Sequence, residues 1–315
     1  MKPRPFFKRL LVPLDGSPEA EAILPVLPGL LSRTTSEVIL LQAVPFMATL
    51  LRLPVSLTND PGRDESDTSD SRRYLDEIAK RLRSQGIFAR GIVRIGAGAE
   101  TILEVAREER VTLIAMSIHA PSRMTHFLHA SVTEKALRAS KTPFFIIHVT
   151  SDGIPTKLPV PRSGEPGFRD ILVPLGSGPV TLGILPFALR MARLFGSRLR
   201  LLHVLEPHDD PQMIQRLLKT ASALSTAEGV PSEETLRPGD PRGEILAAAR
   251  ELPTDLIAMA THGLPATRSQ GPLGNVPWSL VEESPWPVLL VRGAEPPDEN
   301  AAEGGTGRPP ELLKA

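Results

Sequence analysis

Asp255-Leu-Ile-Ala-Met-Ala-Thr-His-Gly263, the segment after it to Gly274-Asn275-Val276, and the run Pro287-Val-Leu-Leu-Val291 describe one physical object. Leu256 to Met259 is too short and too uniformly apolar for an amphipathic helix, so it reads as a buried strand of a parallel sheet. Gly263 ends that strand where a chain leaving a sheet needs unusual dihedrals or close backbone approach. Gly274 precedes Asn275, a good N-cap, and Pro277 falls in the first helical turn, where its missing N–H leaves no bond unmade. Open N–H groups and a helix dipole then face a glycine-lined crevice at the carboxyl end of the sheet. Such a place favours an anion, most often a phosphate.

The rest of the chain repeats this design. Leu10-Leu-Val-Pro-Leu14, closed by Asp15-Gly16-Ser17, reads as strand, turn and helix N-cap. It recurs as Ile171-Leu-Val-Pro-Leu175 before Gly176-Ser177-Gly178, an offset of 161 residues. The same offset pairs Ile23-Leu24-Pro25 with Ile184-Leu185-Pro186, and Leu40-Leu-Gln-Ala43 with Leu201-Leu-His-Val204. Further on it falls to 143, pairing Leu113-Ile-Ala-Met116 with Leu256-Ile-Ala-Met259, so the first copy is 18 residues longer (161 less 143). The extra length lies in residues 45–69, rich in Pro, Asp and Ser, and residues 46–68 read as the most mobile internal segment. A period this far above ~50 residues marks a duplicated domain and not a solenoid.

Each copy alternates strands with helices. Tyr74, Leu75, Ile78 and Leu82 set a helical stripe ended by Gly86, matched by Ile214, Leu217, Leu218 and Ala221 before Gly229. Ile87 to Ile95 reads as the third strand, Ala99 to Arg110 as the next helix, and Phe144 to Val149 and Val288 to Val291 as the last strands. Such alternation implies an α/β fold with right-handed crossovers and a parallel sheet covered on both faces. Pro25 and Pro186 fall inside the predicted first helix of each copy, where a kink costing ~3 kcal/mol is expected. The expected organisation is a domain over residues 1–149, a linker over 150–167, a domain over 168–293, and a disordered tail over 294–315.

The stretch from Ala260 to Asn275 resembles the signature of nucleotide-binding universal stress proteins, Gly-x2-Gly-x9-Gly-Ser/Thr after the fourth strand. Ala260 stands at the first glycine, Gly263 at the second, and Gly274 at the third after ten intervening residues, with Asn275 in place of Ser or Thr. The resemblance covers both copies. It implies two tandem doubly wound, Rossmann-like five-stranded domains of strand order 3-2-1-4-5, joined through their fifth strands as a pseudo-dimer. It also implies an adenine nucleotide, ATP or AMP, as ligand. In such relatives an Asp at the end of the first strand holds the ribose and adenine side, a residue after the second strand lines the adenine, and the glycine motif wraps the phosphates. Carried to the second copy, this marks Pro174, Leu175, Ser177, Val204, Met259, Gly263, Gly274, Asn275 and Val276.

In the first copy the corresponding positions are Asp15, Ala43 and Ser131, but the glycine motif has become Ser117-Ile-His-Ala120 with Ala130-Ser131. Each replacement adds a side chain where backbone must meet phosphate, and an alanine forced to positive φ costs ~1 kcal/mol or more. Ser131-Val-Thr-Glu134 reads as a capping box, and Asp15 reads equally well as a turn residue at a helix start. The first copy is therefore expected to be a degenerate pocket. In the second copy Gly176 stands where the Asp belongs, and Ser177 offers either a hydroxyl to the ribose side or a cap.

Composition narrows the alternatives. Lys and Arg balance Asp and Glu to a net charge of zero, which argues against nucleic acid as a partner. No cysteine is present, so disulfide frameworks and thiolate metal sites are excluded. No apolar run approaches the ~20 residues of a membrane span, and a cytoplasmic protein without membrane contact is expected. His119, His126 and His129 form a weak zinc candidate. The chain lacks Gly-x4-Gly-Lys-Ser/Thr, Gly-x-Ser-x-Gly and a Gly-x-Gly-x-x-Gly after the first strand, and no residue is placed as a general base, so an enzyme is not expected. Two main readings stand: a regulatory protein binding an adenine nucleotide, and an interaction module acting through its paired domains on a protein partner or a second copy. Slow ATP hydrolysis is a third and weaker one.

Overall fold

The computed structural model describes residues 7–31, 36–45, 64–119, 129–150, 154–157, 167–177, 179–261 and 275–292. Apolar runs become strands: β1 (Arg9–Pro13), β2 (Glu37–Val44), β3 (Phe88–Ile95), β4 (Leu113–His119) and β5 (Phe144–Val149) in the first copy. The second copy supplies β6 (Asp170–Pro174), β7 (Arg198–Leu205), β8 (Ser232–Pro238), β9 (Leu256–Thr261) and β10 (Val288–Arg292). Among the described residues they form one sheet of order β3-β2-β1-β4-β5-β10-β9-β6-β7-β8. β5 and β10 pair antiparallel, with Ile146 opposite Val288 and Phe144 opposite Leu290. The neighbouring pairs on either side, β4–β5 and β9–β10, are parallel. Read outward from this seam, each half shows the expected order, and the fifth strands join the halves.

The two-residue period of a strand sorts its side chains into two layers. Phe144 and Ile146 of β5 pack in one layer with Leu11, Leu172 and Trp286; Phe145 and Ile147 pack in the other with Phe168 and Phe195. Both layers draw residues from both copies, so the seam is core and not a wet domain contact. Phe168 meets Phe145 edge-on at 5.9 Å and Phe195 at 5.2 Å, linking the copies through one ring. Such pairs add about 0.5–1.5 kcal/mol each beyond burial.

The segment expected to be a linker is tied to this seam at its start. The Thr156 N–H donates to the His148 carbonyl (2.9 Å), and the Thr156 hydroxyl to the Pro285 carbonyl (3.0 Å). The Lys157 ammonium lies 4.0 Å above the Trp286 ring. Beneath this strap the buried His148 ring meets the Val281 carbonyl through Nε2. Burial, opposed by the carbonyls of Val281 and Trp286, holds the His148 pKa below its ordinary 6.5.

Several helix boundaries differ from the sequence expectation. Pro186 lies in the first turn of the helix Leu185–Phe195, which follows a 3-10 turn over Pro179–Ile184. Pro25 lies in the 3-10 turn Leu24–Val26, between the short helices Pro18–Glu21 and Leu27–Leu31. Neither proline kinks a continuous helix; each sits where a segment starts and its N–H is not needed. The helix Asp64–Ser84 begins inside the expected insertion. Residues 46–63 and the tail from 293 lie outside the described residues. Ser131 falls within the helix His129–Ala139, two residues after its first, and Glu134 pairs with Arg138 one turn on. Asn275 is the first residue of the helix Asn275–Glu283. No helix among the described residues is long and apolar enough to cross a membrane.

Candidate functional site

The second crevice is built where β6, β7 and β9 end together. Ile171 is level with Leu256 and Leu172 with Ile257, so two residues further on Pro174 and Met259 reach the same edge. The Leu175 N–H donates to the Leu202 carbonyl (2.8 Å) and carries the β6–β7 pairing one residue past Pro174. The Gly176 N–H then turns to the buried Thr181 hydroxyl (2.8 Å), which starts the 3-10 turn. Pro174, Leu175, Val204 and Met259 are buried, so they form floor and not wall. Val204, Met259 and Val276 share one layer, while Leu175 belongs to the other. Gly263 and Gly274 lie outside the described residues; β9 ends at Thr261 and the next helix opens at Asn275.

Beside Ser177 the structure assembles a polar cluster that the sequence reading missed. The Ser177 hydroxyl donates to Oδ1 of Asp209, which comes from the loop after β7. Oδ2 of Asp209 accepts from the Glu206 N–H (2.8 Å) and meets Nε2 of His203 at 3.2 Å. Nδ1 of His203 is 2.7 Å from the Leu175 carbonyl. The His203 and Asp209 side chains are each 1 % exposed. Burial raises the Asp209 pKa, but the hydrogen bonds from Ser177, the Glu206 N–H and His203 outweigh it and hold the carboxyl down at about 2. His203 was legible only as part of the strand Leu201-Leu-His-Val204. The available signal was a histidine inside a buried apolar run with an aspartate six residues on.

The first crevice is arranged differently. Oδ1 of the exposed Asp15 accepts from the Ser17 N–H (2.9 Å) and the Ser17 hydroxyl (2.6 Å). The Ser17 oxygen accepts from the Ala20 N–H (3.1 Å) and caps the helix Pro18–Glu21. Gly16 takes φ +87°, which makes this turn possible. From the end of β4 the Ser117 hydroxyl donates to the Glu19 carbonyl (2.5 Å), tying the exits of β1 and β4 together. Ala43 is half-buried on β2, paired with Arg94 of β3. His119 closes β4 and His129 opens the helix His129–Ala139, while His126 lies outside the described residues. Among the described residues no group of three His, Cys, Asp or Glu is placed to hold a metal ion.

A cavity of about 490 Å³ lies at the opposite edge of the second copy, lined by Arg169, Asp170, Arg198 and Arg200 among others. The Arg200 guanidinium is engaged there by Asp170 (2.9 Å) and Glu233 (2.6 Å).

The model of the universal stress protein family matches residues 6–148 and again 167–292. A universal stress protein of Methanocaldococcus jannaschii is 26 % identical over 153 residues, which are 45 % of this chain and 94 % of that protein. One from Thermus aquaticus is 36 % identical over 113 residues, 32 % of this chain and 82 % of that protein. Relatives covered so fully by less than half of the chain have the length of one copy. The crystal structure of a universal stress protein from Archaeoglobus fulgidus superposes with a TM-score of 0.71, at 22 % identity, over 92 % of this chain and 98 % of that one. The paired arrangement of two copies thus recurs in a solved fold.

Proposed function

Because the chain belongs to the universal stress protein family, we propose that it is a stress-response regulatory protein whose second copy binds an adenine nucleotide, ATP or AMP, in the cytoplasm. One observation carries this reading. β6 and β9 are neighbours whose chains leave in opposite directions, β6 towards β7 and β9 towards β10. That reversal is the place in an open parallel sheet where ligands bind. Between the end of β9 and the helix Asn275–Glu283 stand Gly263 and Gly274, one on each side of the loop. Bare backbone N–H groups and a helix start are the chemistry for phosphate. Pro174, Leu175, Val204 and Met259 would floor the pocket, with Ser177, Asn275 and Val276 at its rim. Among the described residues no side chain is placed as a general base, and binding rather than hydrolysis is proposed.

A second reading, an interaction module that needs no nucleotide, draws on the first copy, where Ser117 joins the strand exits and Asp15 serves its own turn. The two are separated by mass spectrometry of gently purified protein together with an ATP titration. Co-purified or titratable nucleotide supports the first; its absence from both leaves the paired domains as the working surface for a protein partner or second copy.

A further inference from the structure

A buried carboxylate at the exit of a strand is costly unless every lone pair that faces inward is served. In the second copy that service is uneven. Oδ2 of Asp209 accepts from the Glu206 N–H at 2.8 Å and lies 3.2 Å from Nε2 of His203. Among the described residues Oδ1 takes one donor, the Ser177 hydroxyl. His203 is itself anchored on the Leu175 carbonyl at 2.7 Å, so the Oδ2 side is fixed to the end of β6 from beneath. Ser177 is only half-buried and follows the end of β6, while Asp209 follows the end of β7. Next to it, Gly176 has no side chain, and among the described residues nothing lies within 4 Å of where a Cβ would stand. Among the described residues this leaves open room beside the Ser177 hydroxyl.

We propose that Asp209 is a specificity-determining residue of the second crevice, reading a hydroxyl of a nucleotide's ribose through Oδ1, and that the Ser177 hydroxyl holds that place until the ligand arrives. The proposal rests on the nucleotide reading above. The exchange is hydroxyl for hydroxyl, so the carboxylate keeps its count of hydrogen bonds and the buried charge is never left bare. A ligand without a sugar hydroxyl would have to leave Ser177 in place and gain nothing from Asp209. The class of ligand is therefore a ribonucleotide, discriminated from its dideoxy analogue.

The test is calorimetric titration of ATP and of 2′,3′-dideoxy-ATP into the full chain, Ser177→Ala and Asp209→Asn. Thermal melts should establish that each variant is folded. The wild-type protein should prefer ATP. Ser177→Ala vacates Oδ1, so ATP should bind roughly twofold to tenfold more tightly while the dideoxy analogue changes little. Asp209→Asn should keep binding but lose most of the preference for ATP. If the wild-type protein binds both nucleotides equally, or Ser177→Ala binds ATP no better, Asp209 is a structural tie between two loops and the inference fails with the nucleotide reading intact. If no nucleotide binds to any of the three proteins, both fail together.

Discussion

The two copies draw their strand exits together at different places. In the first, Ser117 reaches from β4 to Glu19 behind β1, across the point where the sheet order reverses. In the second, Ala260 occupies the corresponding position, and the tie lies one strand over, from Ser177 behind β6 to Asp209 behind β7. At the position of His203 the first copy has Gln42, whose side-chain oxygen is buried with no partner among the described residues. The opposite edge of the sheet behaves otherwise. Arg9, Glu37 and Arg90 bridge β1, β2 and β3 in the first copy, while Asp170, Arg200 and Glu233 bridge β6, β7 and β8 in the second. The signs are inverted, and the middle member moves two residues along its strand: Glu37 corresponds to Arg198, and Arg200 to Ile39. A structural ion-pair ladder tolerates exchange of its members as long as the sum of attractions survives; the crevices differ in which groups are present at all.

The seam gives the largest expected effect. Phe168 touches rings from both copies and is 1 % exposed, so Phe168→Ala should destabilise by about 3–5 kcal/mol. Because both core layers cross the seam, chemical denaturation should still show one transition. Two separated transitions would mean that the copies fold as independent units, and the comparison would become one of two unrelated domains.

The next largest effect separates the two aspartates. Asp209→Asn disturbs a buried cluster and should cost about 1–3 kcal/mol, while Asp15→Ala at an exposed turn should stay within about 0.5 kcal/mol. The pH dependence follows from the depressed carboxyl. Unfolded Asp takes up a proton near 3.8 and the folded one near 2, so the stabilisation is complete above about 3.8 and lost as pH falls towards 2. The gap between the wild-type protein and Asp209→Asn in urea melts should close over that window.

A smaller effect belongs to His148 at the seam. The unfolded ring binds a proton near 6.5 and the buried one resists it, so stability should be constant above that pH and decline below it. His148→Gln should flatten the decline between pH 7 and 5. An unchanged slope would place the acid-sensitive group elsewhere.

Much of this fold was legible because its strands are buried on both faces. Leu10–Leu14, Leu113–Met116 and Leu256–Met259 announce themselves as uniform apolar runs, and the constant offsets between copies then order the rest. Helix starts were harder. Pro186 and Ser131 each sit one turn or less from a boundary, and apolar periodicity does not say where a 3-10 turn gives way to a helix. The Asp209 cluster was hidden for another reason. The sequence reading looked for a carboxylate at the exit of the first strand and found Gly176, whereas the carboxylate arrives from the exit of the second. Loop closure brings together residues 32 apart, and local pattern carries no trace of it.

The claim that the second crevice is the working one is tested most directly by calorimetric titration of ATP into three proteins: wild type, Gly263→Val with Gly274→Val, and Asp15→Ala. Side chains at the two glycines should block the approach of phosphate to backbone and abolish binding, with the circular dichroism spectrum unchanged. Asp15→Ala should alter affinity by no more than roughly twofold, as expected of an exposed turn residue. Binding that survives the two glycine changes and disappears with Asp15→Ala contradicts the assignment and moves the site to the first copy.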